Sequence, residues 1–323
     1  MNRPKIVVTR KIPNEAIELL EGSGKVFVWD HELEPIPRDL LLREVEDAAA
    51  IYTNVSDSID KEVFDRAPLL QVVSTMAVGY DNIDIQEATR RSIPVGHTPD
   101  VLSEACADLT FALLMSTARR IVEGDAYIRE GKWKSWGPML LTGQDIYGAT
   151  IGIIGMGRIG EAVARRAAGF NMKILYHNRN RRPAIEEQLN ARHYGLDELL
   201  TQSDYVVMLA PSTPETYRMI SEREFQLMKP SAIFINTSRG RNVDEAALYR
   251  ALKEKKIGAA GLDVFEEEPI SLDHPLLTLD NVIVLPHIGS ASVATRTKMA
   301  VLAAENLIAG LTGNKLPHVV NPI

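Results

Sequence analysis

At 323 residues the chain is longer than one hydrophobic core usually supports, so two domains are expected. A hydrophobic share of 45% beside 24% charged residues describes a globular chain, and 36 Lys and Arg against 43 Asp and Glu give a formal net charge of -7, which argues against a nucleic-acid partner. The single cysteine, Cys106, excludes an intramolecular disulfide or a multi-cysteine metal site; no stretch has the length and apolarity of a membrane span or signal peptide, and the expected compartment is the cytoplasm.

Short β-branched runs alternate with helix-length amphipathic stretches from the start: Lys5–Thr9, Asn14–Leu20, Val26–Trp29, Arg38–Val45 and Ala49–Tyr52. That alternation predicts a parallel α/β sheet. Asp60–Arg66 reads as a helix closed by Pro68, and Gln71–Ser74 and Val95–Gly96 as further strands, so residues 1 to about 98 form one α/β unit. After Thr98-Pro99-Asp100 the run from Leu102 to Ile128 is helix-compatible throughout, and Thr or Asp can cap it. Cys106 lies in the apolar part of this run and reads as a small buried residue. A loop at 131–143 holds Trp133 and Trp136, and a second α/β series follows, with strands at Thr150–Ile154, Lys173–Tyr176, Tyr205–Leu209, Ala232–Asn236, Gly258–Leu262 and Val282–Leu285. A last helix at Ala291–Leu311 is expected to cover the first domain, and the tail Leu316–Ile323 to join neither sheet.

Gly155, Gly157 and Gly160 form G-x-G-x-x-G directly after the strand 150–154 and before a helical run at Glu161–Ala168. This is the context dinucleotide binding requires. The first glycine permits a tight turn, the second lets a pyrophosphate approach the backbone, and the third allows close helix–strand packing, with Met156, Arg158 and Ile159 completing the loop. Unpaired N–H groups at the helix start then meet the phosphates. An acid that would accept hydrogen bonds from the ribose diol is expected about 20 residues on. The second strand instead runs into His177-Asn178-Arg179-Asn180-Arg181-Arg182, without one. Losing the carboxylate removes repulsion of a 2′-phosphate, and a guanidinium can bind that phosphate through two parallel hydrogen bonds. NADP(H) is therefore the expected cofactor, NAD(H) remaining possible, with Asn178, Arg179 and Asn180 as its selectivity loop. No clustered His or Cys ligands suggest a metal.

Three later segments, Asn236-Thr237-Ser238-Arg239-Gly240, Gly261-Leu262-Asp263-Val264-Phe265-Glu266-Glu267-Glu268-Pro269 and Leu285-Pro286-His287-Ile288-Gly289-Ser290, resemble the D-isomer-specific 2-hydroxyacid dehydrogenases. Val78-Gly79-Tyr80-Asp81, Thr98-Pro99-Asp100-Val101-Leu102 and Lys132-Trp133 to Pro138 are similar to the glyoxylate/hydroxypyruvate reductases within that family. The resemblance covers residues 49 to 321. It implies two doubly wound, Rossmann-like and flavodoxin-like parallel-sheet domains with a cleft between them: a discontinuous substrate domain, 1–98 plus 291–323, and a dinucleotide-binding domain, 99–290. It implies a reductase of small 2-keto acids, glyoxylate and hydroxypyruvate foremost, with the longer 2-ketogluconate as the alternative and a dinucleotide-sensing corepressor as the alternative outside enzymes.

The residue roles implied by the resemblance also follow from the chemistry. Hydride transfer to a keto carbon builds negative charge on the carbonyl oxygen, so a cation and a proton donor must converge there. Arg239 would hold the substrate carboxylate and polarise the carbonyl, His287 would donate the proton, and Glu268 would orient His287 and favour its protonated form. Asp263, with Thr237, Ser238 and Gly289, would lie along the cofactor. Val78 and Gly79 would bind the substrate carboxylate through backbone N–H groups, and Asn54 would form another wall of the pocket. A tryptophan of the 131–143 loop would reach a partner subunit, which implies a homodimer through residues 100–143. The remaining histidines carry no assigned role.

Overall fold

The computed structural model describes residues 3–321 and 323. The chain divides into two compact units, Met1–Leu102 with Ala291–Ile323, and Ser103–Ser290.

The first unit runs β1 (Lys5–Val8), α1 (Asn14–Ser23), β2 (Lys25–Val28), α2 (Arg38–Glu44), β3 (Ala48–Thr53), α3 (Lys61–Arg66), β4 (Val72–Thr75), α4 (Ile85–Arg90) and β5 (Val95–Gly96). Its five strands form a sheet in the order β2-β1-β3-β4-β5, every neighbouring pair parallel. Each strand carries apolar residues on both sides because helices cover both faces: Val7, Ile51 and Val73 pack with Phe64 and Val63 of α3, while Ile6, Val8, Ala50 and Tyr52 pack with α1 and with the last helix of the chain. Asp60 caps α3 by accepting from the N–H groups of Glu62 and Val63.

The second unit runs α5 (Ser103–Ala118), α6 (Ile121–Arg129), β6 (Thr150–Ile154), α7 (Arg158–Gly169), β7 (Lys173–His177), α8 (Pro183–Leu189), β8 (Arg192–His193), α9 (Leu196–Gln202), β9 (Tyr205–Met208), α10 (Glu222–Leu227), β10 (Ile233–Asn236), α11 (Glu245–Lys253), β11 (Ala259–Leu262) and β12 (Val282–Val284); the final helix, α12 (Val293–Leu311), belongs to the first unit. Seven parallel strands stand in the order β12-β11-β10-β9-β6-β7-β8. The winding direction reverses between β6 and β9. In open α/β sheets the ligand crevice forms outside the carboxyl ends of the strands at such a reversal.

Three expectations need correction. The single helix over 102–128 is two helices, because the backbone N–H of Gln144 takes the Ala118 carbonyl at 2.9 Å and Arg120 turns left-handed at φ 53°. The helix after the glycine loop starts at Arg158, three residues early, since Gly157 already stands at its N-cap. The tail does reach a sheet: Val319 forms an isolated antiparallel bridge to Gly96, and the Asn321 side chain accepts from Val95 N–H at 2.8 Å. Helix α12 covers the first unit as expected, its small residues Ala300, Ala303 and Ala304 buried against β1, β3 and β4 and the Tyr52 hydroxyl donating to the Ala300 carbonyl at 3.2 Å.

Candidate active site

Every residue assigned to the second unit's site lies beyond the carboxyl end of a strand: 155–157 in the turn after β6 and 158–160 in the first turn of α7, 178–180 after β7, 237–239 after β10, 263 and 268 after β11, and 287 and 289 after β12. Gly155 adopts φ 104°, and a Cβ there would meet the Ala210 backbone nitrogen at 2.5 Å, so only glycine fits the turn. A Cβ on Gly160 would lie 2.4 Å from the Gly155 carbonyl oxygen, whereas one on Gly157 would meet nothing within 4 Å. The loop is thus closed on the protein side and open above the start of the 12-residue helix α7. That shape fits a dinucleotide pyrophosphate seated on a helix N-terminus.

The loop after β7 is bound to the glycine loop. Asn178 accepts from Met156 N–H at 2.7 Å and donates to the Met156 carbonyl at 3.3 Å, while Gly155 N–H donates to the His177 carbonyl at 3.0 Å. Met156 itself is fully buried in the core. Two of the three arginines are occupied, Arg181 with Glu186 and Arg182 with Glu161. Arg179 is exposed and makes no ion pair among the described residues.

Arg239 is held by the strand end before it. The buried Asn236 side chain accepts from Ser238 N–H and Oγ at 3.1 and 2.9 Å and donates to the Arg239 carbonyl at 3.0 Å. After Arg239 the chain turns through a 3-10 segment, Gly240–Asn242. A Cβ on Gly240 would fall 1.8 Å from the Phe265 carbonyl carbon and 2.3 Å from Glu266 N, so the arginine loop rests directly on the backbone that leads to Glu268. Glu268 accepts from Phe265 N–H at 3.0 Å through Oε1 and from His287 Nδ1 at 2.6 Å through Oε2. Burial pushes its carboxyl up, and the His287 hydrogen bond and charge, the Phe265 N–H and the Arg239 charge outweigh that and hold it below the usual carboxylate range. With Nδ1–H committed to a carboxylate, the other ring nitrogen of His287 is left for substrate. The pair is about one-third exposed, 30% for His287 and 34% for Glu268, so a small molecule can reach it.

Asp263 is 1% exposed; one oxygen accepts from Ile288 N–H at 2.8 Å and the other has no hydrogen-bond partner. Burial raises its pKa, against the Ile288 N–H, the His287 charge and the Gly289 N–H. A buried acceptor without a donor fits a ligand N–H group.

In the first unit, the Asn54 amide is partly engaged. Its Nδ2 donates to Asp57 at 2.7 Å and its Oδ1 accepts from Ser56 N–H at 3.0 Å, so the side chain is used within its own loop. Val78 and Gly79 follow β4, and the Val78 carbonyl accepts from His97 Nδ1 at 3.0 Å. Trp133 and Trp136 are exposed, at 56% and 79%.

Sequence reasoning gave no role to Asn236, Asn242, Thr110 or Glu245, which build the site's frame. The fully buried Asn242 donates to the Ala210 carbonyl at 2.8 Å, Thr110 pairs with Thr237 hydroxyl to hydroxyl at 2.7 Å, and Glu245 accepts from Glu266 N–H at 2.7 Å. An asparagine ending a strand was the one signal available, for Asn236. A cavity of about 730 Å³ opens beside this frame, lined by Tyr217, Arg241, Glu245, Glu266 and His274, and none of Arg239, Glu268 and His287 lines it. Chemical convergence, not volume, locates the site. No group of three or more His, Cys, Asp or Glu residues fit to hold a metal occurs among the described residues, and none of their helices is long and apolar enough to cross a membrane.

Residues 111–289 match the family model described as D-isomer specific 2-hydroxyacid dehydrogenase, NAD binding domain. A glyoxylate reductase of Thermococcus gammatolerans is 53% identical over 99% of this chain and 96% of its own. Among solved structures, a protein of Thermus thermophilus aligns with TM-score 0.92 at 45% identity, over 98% of this chain and all of that one. An NADPH-dependent glyoxylate/hydroxypyruvate reductase of Sinorhizobium meliloti, solved with NADP and malonate, aligns with TM-score 0.86 at 34% identity, over 99% of this chain and 97% of that one. Sequence, strand order and the residues gathered at the strand ends agree, and the chain belongs to the D-isomer-specific 2-hydroxyacid dehydrogenases, oxidoreductases that work with a nicotinamide dinucleotide.

Proposed function

We propose that this enzyme reduces the small 2-keto acids glyoxylate and hydroxypyruvate to their 2-hydroxy acids, with NADPH preferred over NADH and His287 as proton donor. The observation that carries this reading is the 2.6 Å contact of His287 Nδ1 with Glu268, on a loop braced against the Arg239 loop. The glyoxylate reductase relatives support the substrate class.

The unit Ser103–Ser290 is assigned to the dinucleotide and the discontinuous unit to the substrate. Gly155, Gly157 and Gly160, with the N–H groups that open α7, hold the pyrophosphate; Arg179 meets the 2′-phosphate; Thr237, Ser238, Asp263 and Gly289 line the nicotinamide end. When bound, the coenzyme supplies the hydride. Arg239 grips the substrate carboxylate and draws electron density toward the carbonyl oxygen. His287 passes a proton from its outer ring nitrogen to that oxygen, and Glu268 fixes the ring and stabilises its charged form. From the first unit, Val78 and Gly79 are proposed as carboxylate-binding residues. Asn54 is proposed as a wall residue of the pocket, part of its amide being committed to its own loop.

The test is a panel of glyoxylate, hydroxypyruvate, pyruvate and 2-ketogluconate with NADPH and NADH. We expect kcat/KM highest for the first two substrates with NADPH, and Arg179→Ala to lower it with NADPH while leaving NADH use nearly unchanged. Equal use of both coenzymes by the parent, or indifference to Arg179→Ala, refutes the coenzyme assignment.

A further inference from the structure

Glu245 opens α11, yet the helix does not need it as a cap. Asp244 already fills that role, its side chain accepting from Ala247 N–H at 3.0 Å. The Glu245 side chain turns instead to the loop that carries Glu268 and holds it on both sides. Oε1 accepts from Glu266 N–H at 2.7 Å, just before Glu268, and Oε2 lies 3.2 Å from His274 Nε2, beyond it. His274 Nδ1 accepts from Leu276 N–H at 3.3 Å, which leaves the ring proton on Nε2, directed at Glu245. The Glu245 side chain is 13% exposed, and burial raises its carboxyl against the Glu266 N–H and the His274 charge. A carboxylate so little hydrated is costly unless hydrogen-bonded, and the two bonds that offset the cost both go to this one loop.

We propose that Glu245 is a positioning residue for the reaction: through Glu266 N–H and His274 it brackets the loop bearing Glu268 and so sets the contact of Glu268 with His287. The inference rests on the reading of Glu268 and His287 as the proton-donating pair. The path is short. Phe265 N–H, the neighbour of the N–H that Glu245 takes, itself binds Glu268 at 3.0 Å, so a backbone shift there passes directly to the carboxylate that meets His287 Nδ1 at 2.6 Å. The other charges that face Glu245 are Glu266, which Arg218 pairs, and Arg241 and Glu267 on the wall of the adjoining cavity. Glu268 faces His287, Arg239 and Asp263.

The test compares four full-length enzymes across pH: the parent, Glu268→Gln, Glu245→Gln and the double variant. In Glu245→Gln one of the two N–H groups must face an amide N–H, so one end of the loop is released while side-chain size is kept. We expect kcat with glyoxylate to fall by about tenfold to a hundredfold, with NADPH affinity unchanged. The limb on which reduction is lost with rising pH should move to lower pH, as in Glu268→Gln, and the double variant should show the limb of Glu268→Gln alone. His274→Gln, which can still offer an N–H to Glu245, should keep the parent's limb, whereas His274→Leu should move it. A folded Glu245→Gln with the parent's limb, or a double variant whose limb moves beyond that of Glu268→Gln, overturns the inference; a role in stability alone would lower Tm and leave the limb in place. If Glu245→Gln does not fold, the His274 variants decide, and a parent-like limb in His274→Leu overturns it equally. A parent-like profile in Glu268→Gln sinks the reading of the pair itself. A limb that moves in Glu268→Gln but not in Glu245→Gln sinks only the role of Glu245.

Discussion

His287 is defined as an acid by what its inner nitrogen does. The contact of Nδ1 with Glu268 fixes the ring, so His287→Gln should lower kcat by about 10²- to 10⁴-fold while NADPH affinity, measured by fluorescence titration, stays nearly constant. Glu268 is held below its ordinary range because burial, which raises it, is outweighed by the His287 contact. Glu268→Gln removes it, so the limb on which reduction is lost with rising pH should move to lower pH. A profile that overlays the parent's would end the assignment of the pair. Asp263 is displaced the other way, with burial as the main cause. A carboxyl whose folded pKa lies above its ordinary value of 3.8 favours folding below that value, and the advantage is lost as pH rises through the folded pKa. Asp263→Asn should therefore raise Tm near pH 7 by removing a buried charge, with the gain fading toward pH values below about 4, while coenzyme binding weakens. A Tm at or below the parent's near pH 7 would mean the carboxylate stabilises the fold.

Gly240 shows how elements share the work. Its contact with the backbone at Phe265 and Glu266 makes the loops after β10 and β11 one body, one bearing the carboxylate clamp and the other the carboxylate that orients the proton donor. Gly240→Ala must part them, so KM for the keto acid should rise and the pH limb should move in the same variant; a change confined to KM would show that the loops are independent. Most strands of both sheets were legible, because runs such as Thr150–Ile154 are continuous, β-rich and followed by glycine. Short helices were legible only in part: α2 and α3 were named, the latter with Asp60 before it and Pro68 after, whereas α4 and α8 to α11, six to nine residues long, were not, too few for a 3.6 period alone to stand out against loops. The end of α5 was hidden for a different reason, since the residue that takes its carbonyl, Gln144, lies 26 positions after Ala118. At the site, Arg239, Glu268 and His287 were named from their segments, whereas the second use of Asn178 as a brace for Met156 depends on a contact across 22 residues that no local pattern announces.

For the molecule as a whole, α6 and the loop after it expose Ile121, Val122, Ile128, Trp133, Trp136 and Met139, a run of large apolar side chains that a lone chain would seldom leave in water. The homodimer proposed through residues 100–143 should sediment as a dimer at micromolar concentration, and Ile128→Asp with Trp136→Ala should shift it toward monomer; a parent that sediments only as monomer refutes the interface. The path of the chain carries a different implication. Unit one is made of two segments on either side of unit two, and one of its two buried clusters contains Ala300, Ala303, Ala304 and Leu307 of α12. During synthesis, β1 to β5 leave the ribosome long before the helix that covers them, whereas everything unit two needs is made in one uninterrupted stretch. The usual order, in which the N-terminal domain folds first as it emerges, is thereby inverted. Residues 5–96 must wait, with the apolar faces of β1, β3 and β4 uncovered, until α12 has been made.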